Sequence, residues 1–132
     1  MNRIPATVTG LESVESITIV SFEAGGTPMK MMALALNASV EPGRAVTLGV
    51  KASHVSLARE FEGELSISNR LPVVVAAVEK GALLCSVTLR FGEAPVESII
   101  TRDSAERMNL QPGDRLFALV KASDLSLLEI SG

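Results

Sequence analysis

Lys51-Ala52-Ser53 recurs as Lys121-Ala122-Ser123, 121 − 51 = 70 residues later, inside two decapeptides of one pattern, LGVKASHVSL (48–57) and ALVKASDLSL (118–127). The same distance separates Glu41-Pro42-Gly43 from Gln111-Pro112-Gly113, whereas Asn2-Arg3-Ile4-Pro5 answers Asn69-Arg70-Leu71-Pro72 at 69 − 2 = 67. Echoes in one order with a single change of length mark a tandem duplication. The second copy has gained 70 − 67 = 3 residues between its NRLP and its QPG. The chain of 132 residues therefore reads as two copies of one module, residues 1–60 and 65–132, joined through the polar EFEGE.

Each copy is patterned for strands. ATVTGL, SITIVSFE, PMKMMALAL and AVTLGVKAS in the first, and PVVVAAVE, ALLCSVTLRF, PVESIIT and RLFALVKAS in the second, are short β-branched and aliphatic runs. Turn signals such as EAGG and EPG separate them, and RDSAERMNL adds a short helix to the second copy. Four or five strands cannot cover both faces of a flat sheet, so each copy must curl on itself. The expected fold is all-β: two tandem OB-like five-stranded β-barrel modules, each with at most one short helix. A lone barrel of this size buries little of its surface. The copies are therefore expected to pack together, and exposed strand edges favour a homo-oligomer, trimer or dimer.

Hydrophobic residues make up 47% of the chain, enough for a core, but there are four Phe and no Trp or Tyr. Val, Leu, Ile, Ala and Met must fill it, and Met29, Met31 and Met32 read as strand core. No apolar run reaches the roughly 18 residues of a membrane span, and MNRIPATVTG has no basic-then-apolar signal pattern. The single cysteine, Cys85, reads as a buried small hydrophobe and excludes an intrachain disulfide. A cytoplasmic location is expected, without membrane insertion. Net charge is −3 with scattered Lys and Arg, which argues against a nucleic-acid surface. His54 aligns with Asp124 and has no Cys or His neighbour, so it reads as a surface residue and not a metal ligand. No catalytic triad, cation cluster or Gly-rich phosphate loop is present, so no catalytic residue, cofactor or enzyme activity is expected.

Three clusters remain. Thr101 or Asp103 can cap the helix, and if Thr101 does, Ser104 lies in the first turn beside unpaired backbone N–H groups. Capping alone also explains these residue types. Lys51 and Lys121 each end an apolar strand and bring an ammonium, a hydroxyl and backbone N–H groups to one place. Turn geometry preserved by duplication is the plainer reading of that repeat. Ser66, Ser68 and Asn69 offer donors just before a strand. Together these groups are nearly all donors, which suits a fully deprotonated oxyanion and disfavours hydrogenphosphate, whose proton needs an acceptor.

Residues 66–128 resemble the Mop, or molybdate-type TOBE, domain through NRLP, TRDSAERMNLQPGDRLFALV and the terminal Lys-Ala-Ser. Ser66, Asn69, Thr101, Ser104, Lys121, Ala122 and Ser123 match the family motifs position for position. The resemblance implies an OB-like barrel that binds molybdate or tungstate at interfaces between modules or chains. Tandem forms of this kind serve as free-standing molybdate-binding proteins or end a molybdate-responsive regulator, and single modules end the importer's ATPase. Ile67-Ser68 stands where the motif has Ala-Arg, so the family's arginine is missing. Arg70, or Arg3 of the first copy, is the candidate to replace it. In the first copy Asn2, Arg3, Lys51, Ala52 and Ser53 are the matching candidates. At constant spacing Met31 and Leu34 stand where Thr101 and Ser104 do, so unequal sites are expected.

The leading expectation is thus a cytoplasmic molybdate or tungstate storage or homeostasis protein. The alternative is the molybdate-sensing C-terminal portion of a regulator or of the importer ATPase. An oligonucleotide-binding OB module would need stacking aromatics and a basic groove, and the chain is 3% aromatic and acidic.

Overall fold

Along the first strand, Asn2, Ile4, Ala6 and Val8 are buried while Arg3, Pro5 and Thr7 are exposed, the two-residue alternation of a half-buried strand. The computed structural model describes residues 1–36, 40–59 and 63–131; residues 37–39, 60–62 and 132, which include part of the linker, lie outside the described residues. The strands are β1 (Asn2–Val14), β2 (Ile17–Ala24), β3 (Thr27–Leu34), β4 (Ala45–Val50) and β5 (Ser56–Ala58). They continue as β6 (Asn69–Lys80), β7 (Leu84–Phe91), β8 (Ala94–Thr101), β9 (Arg115–Val120) and β10 (Ser126–Ile130), with one α-helix, α1 (Arg102–Arg107). Among the described residues the fold is all-β apart from that helix and two single 3-10 turns, and the strands form two curled five-stranded sheets of OB-like type.

The repeats are legible in the geometry. β1 slips register between Val8 and Gly10, and β6 slips between Val75 and Ala77. Gly43 donates its N–H to Val8 O and Gly113 donates to Val75 O, both at 2.8 Å. Their φ values of 92° and 93° are the left-handed conformation that glycine adopts without a Cβ clash. The echoed Pro-Gly is thus the turn that feeds back onto each bulge.

The three extra residues sit in α1. β3 ends at Leu34 and β8 at Thr101, so the 67-residue spacing persists to the end of these strands. Leu34 is the counterpart of Thr101, and Met31 is the counterpart of Ser98. This corrects the pairing of Met31 with Thr101 and Leu34 with Ser104, because the length change lies after the strand and not before it.

The sheets cut across the sequence halves. Their orders are β10-β4-β1-β2-β3 and β5-β9-β6-β7-β8. Each repeat's last strand therefore completes the other repeat's sheet, β5 on β9 and β10 on β4. The crossover occurs at Lys-Ala-Ser. Here the chain does not continue as strand; it makes one 3-10 turn, Ala52–His54 or Ala122–Asp124. His54 N–H bonds Lys51 O and Asp124 N–H bonds Lys121 O, both at 2.9 Å. Val55 and Leu125 then plunge into a core that runs through both modules as one apolar cluster.

Two asparagines clasp the halves. Asn69 donates from Nδ2 to Lys30 O at 2.9 Å and accepts from Lys30 N–H at 2.7 Å. Asn2 does the same to Glu97, donating to its carbonyl and accepting from its N–H, both at 2.8 Å. Lys30 and Glu97 lie on β3 and β8, the outermost strands of the two sheets, whose backbone groups would otherwise face a module boundary unpaired. Cys85, Met29 and Met31 are buried as expected, but Met32 is 45% exposed and is not core.

Candidate oxyanion site

Because β10 lies beside β4, the turn that follows one strand meets the turn that precedes the other. Lys51 and His54 from the first repeat line a cavity of about 190 Å³ together with Ser123, Asp124 and Ser126 from the second. Met1 closes one side, since the pairing of Asn2 with Val50 sets residue 1 beside Lys51. His54 Nδ1 faces Asp124 Oδ1 at 3.7 Å, the two equivalent positions of the repeats meeting across the approximate two-fold between them. Ser126 donates its hydroxyl to Gly49 O at 3.3 Å.

The repeat relation carries this arrangement to a second place. There Lys121 takes the part of Lys51, Ser53 that of Ser123 and Ser56 that of Ser126. The pairing of Asn69 with Val120 sets Ser68 beside Lys121, where the first place has Met1. The strand exchange thus gives each candidate site a lysine from one repeat and a serine from the other. Lys51, Ser53, Lys121 and Ser123 are exposed and Ala52 and Ala122 are half-buried, so the donors are accessible. Ser66 and Ser68 are exposed on the segment leading into β6.

The other candidates are directed elsewhere within this chain. Thr101 is the helix cap: its Oγ1 accepts the Ser104 N–H at 3.1 Å and donates to Ser104 Oγ at 2.9 Å. Arg107 Nη2 also donates to Ser104 Oγ, at 2.9 Å. Asp103 and Glu106 form no capping box; they pair with Arg107 and Arg102 at 2.9 and 2.8 Å. Hydrogen bonding and charge from Arg102 hold the Glu106 carboxyl below its ordinary range. Asn2 and Asn69 give their amides to the clasp. Arg3 pairs with Glu129 at 2.6 Å, and the Arg70 guanidinium lies 5.7 Å from the centre of the Phe117 ring. Both arginines are on the outer faces of their strands. The His54–Asp124 apposition and the double clasp were not foreseen, because partners across the exchange are not encoded in local spacing.

The TOBE domain model matches residues 65–127. A molybdate-binding protein from Sporomusa ovata is 30% identical, with a TM-score of 0.50; the alignment covers 51% of this chain and 100% of that one. The chain belongs to the TOBE domain family. A solved structure matches the chain over nearly its whole length. The cytoplasmic molybdate-binding protein ModG, with molybdate bound, superposes with a TM-score of 0.89 at 27% identity, over 96% of this chain and 94% of that one. Among curated relatives, the molybdenum-pterin-binding protein MopA of Rhodobacter capsulatus is 34% identical over 114 residues, 85% of this chain. The molybdenum import ATP-binding protein ModC of Brucella abortus is 32% identical over 109 residues, 82% of this chain. This TOBE chain spans 40% of the MopA length and 29% of the ModC length.

Proposed function

We propose that this tandem TOBE chain is a cytoplasmic binding protein for molybdate or tungstate, serving storage or homeostasis and carrying no catalytic step of its own. The observation that supports it most is the cavity in which Lys51 of one repeat meets Ser123 of the other, in a fold shared with molybdate-bound ModG. Lys51 and Ser123, and at the second place Lys121, Ser53 and Ser68, offer an ammonium, hydroxyls and backbone N–H groups. Such groups form charge-assisted hydrogen bonds with a dianion that has no proton to donate. Ser66, Arg70, Thr101 and Ser104, with Arg3, lie away from both places and serve an anion where another chain completes the site, which ties binding to assembly as a homo-oligomer; Asn2 and Asn69 contribute only through the clasp that holds the repeats together.

Isothermal titration calorimetry with molybdate, tungstate, sulfate and phosphate at pH 7.5 tests this. Molybdate and tungstate are expected to bind at least 100-fold more tightly than phosphate. Equal affinity for phosphate refutes the donor-set reading. The matches to ModC favour a second reading with the same ligand, in which this sequence is the anion-sensing part of an importer ATPase. An antibody against the chain distinguishes them, since a ModC-like parent runs at roughly three times the mass of the free module pair.

A further inference from the structure

The outer face of the second sheet carries chemistry that its duplicate lacks. On β6, Pro72 and Val74 point outward beside Phe117 of β9, and together with Arg90 and Arg115 they line a cavity of about 590 Å³, larger than the oxyanion cavity of about 190 Å³. Val74 pairs with Arg90 on β7 and with Arg115 on β9, so the two arginines bracket it on one face. Paired Cα atoms lie about 5 Å apart, which puts the two arginine Cα atoms about 10 Å from each other across an apolar floor. Among the described residues neither Arg90 nor Arg115 has a carboxylate partner. Arg70 lies over the Phe117 ring and holds it in place.

The first repeat supplies an internal control. Its equivalent face has Thr7 for Val74, Glu23 for Arg90, Ala45 for Arg115 and Thr47 for Phe117, and its cavity is about 300 Å³. The prolines match, so the backbone is shared. What differs is two positive charges where the first repeat has one negative, an aromatic ring in place of Thr47, and Val74 in place of Thr7.

We propose that this face binds a flat aromatic dianion. The ring system lies on Pro72 and Val74 against Phe117, and an anionic group at each end takes a bidentate contact from Arg90 or Arg115. Guanidinium is the group for this work, because its planar fork matches carboxylate, sulfonate and phosphate oxygens and it is weakly hydrated. An apolar floor with a few fixed polar groups is the usual make-up of a small-molecule pocket. None of the residues of the molybdate reading takes part in the two anion contacts, so the proposal stands or falls separately.

Naphthalene-2,6-disulfonate is the probe, titrated by calorimetry, with neutral 2-naphthol as the control. The wild-type chain is expected to bind one disulfonate per chain at micromolar concentration and 2-naphthol at least tenfold more weakly. Exchanging the face for first-repeat residues, Arg90→Glu with Arg115→Ala and Phe117→Thr, is expected to weaken disulfonate binding at least 30-fold while molybdate titration and circular dichroism stay unchanged. The reciprocal exchange, Glu23→Arg with Ala45→Arg and Thr47→Phe, is expected to raise the stoichiometry from one to two. Absence of binding, equal binding of 2-naphthol, insensitivity to the first exchange or an unchanged stoichiometry in the second overturns the proposal. So does sedimentation velocity showing that the first exchange dissociates an oligomer, since the face then belongs to a second copy of the chain.

Discussion

Asn69 has no exposed surface, and its side chain satisfies both backbone groups of Lys30. Removing the amide leaves a buried donor and a buried acceptor unpaired, each worth about 1–3 kcal/mol. Asn69→Ala is therefore expected to cost about 2–4 kcal/mol, read as a fall in thermal midpoint. Asn2→Ala is expected to cost less, since Asn2 keeps 9% of its surface while Asn69 keeps none; equal losses would contradict this ranking. Asp124 makes a different prediction. It is the one carboxylate lining the Lys51 cavity, and only His54 faces it there. Asp124→Asn removes a repulsion of about 1 kcal/mol from a bound dianion, so molybdate is expected to bind roughly fivefold more tightly in calorimetry. At this scale the sequence reading found the polar positions but not their partners. NRIP and NRLP marked both asparagines as special, yet what each one touches lies 39 or 95 positions away in the chain at a place set only by packing of the halves.

Among the elements, α1 shows both what local pattern can specify and where it stops. Thr101 was one of two caps open to the sequence; the structure selects it because β8 runs directly into the helix, which places Thr101 Oγ1 on the Ser104 N–H. Asp103 is then free to pair one turn on with Arg107, and Arg102 with Glu106, spacings that meet on one helix face. The Arg102 partnership depresses the Glu106 carboxyl. A depressed folded-state carboxyl contributes stability above its unfolded pKa, and that contribution is lost as pH falls through the folded value. Amide exchange of α1 is accordingly expected to accelerate on acidification below the usual carboxylate range, and Glu106→Gln to flatten that dependence. The strands were legible because burial imposes a period of two on Val, Ile and Leu. The repeated Lys-Ala-Ser could be read as a strand end and a turn, but not why it stands there: only the need to cross between sheets explains why the chain leaves the strand at Lys51 and Lys121. Gly49 marks the same crossover. A Cβ there would stand 2.7–2.9 Å from the Leu128 side chain of β10, so Gly49→Ala is expected to loosen β10 at a cost of about 1–3 kcal/mol.

For the whole molecule, the exchange makes the two lysines distinguishable. Each charged hydrogen bond to a dianion is worth about 1.5–3 kcal/mol, or roughly 10- to 150-fold in affinity. Lys121→Ala is expected to weaken the place enriched by Ser68, and Lys51→Ala the place closed by Met1, so calorimetry of the two single variants should deplete different binding phases. If neither changes affinity or stoichiometry, the repeated Lys-Ala-Ser serves the crossover alone. That the chain repeats one pattern and is all-β was readable from its echoed motifs, Lys-Ala-Ser, Pro-Gly and Asn-Arg-x-Pro, and from its strand patterning. That the copies trade strands was not, because β5 and β10 would fit either sheet by sequence pattern. The trade also fixes an order of events during synthesis. β4 is finished at Val50, but the strand that covers its edge begins at Ser126. A ribosome adding about 5–20 residues per second must make nearly all of the second repeat before the first can close. Until β10 emerges, the nascent first repeat offers an open edge to any neighbouring chain, and chains on one polysome are the nearest neighbours of all.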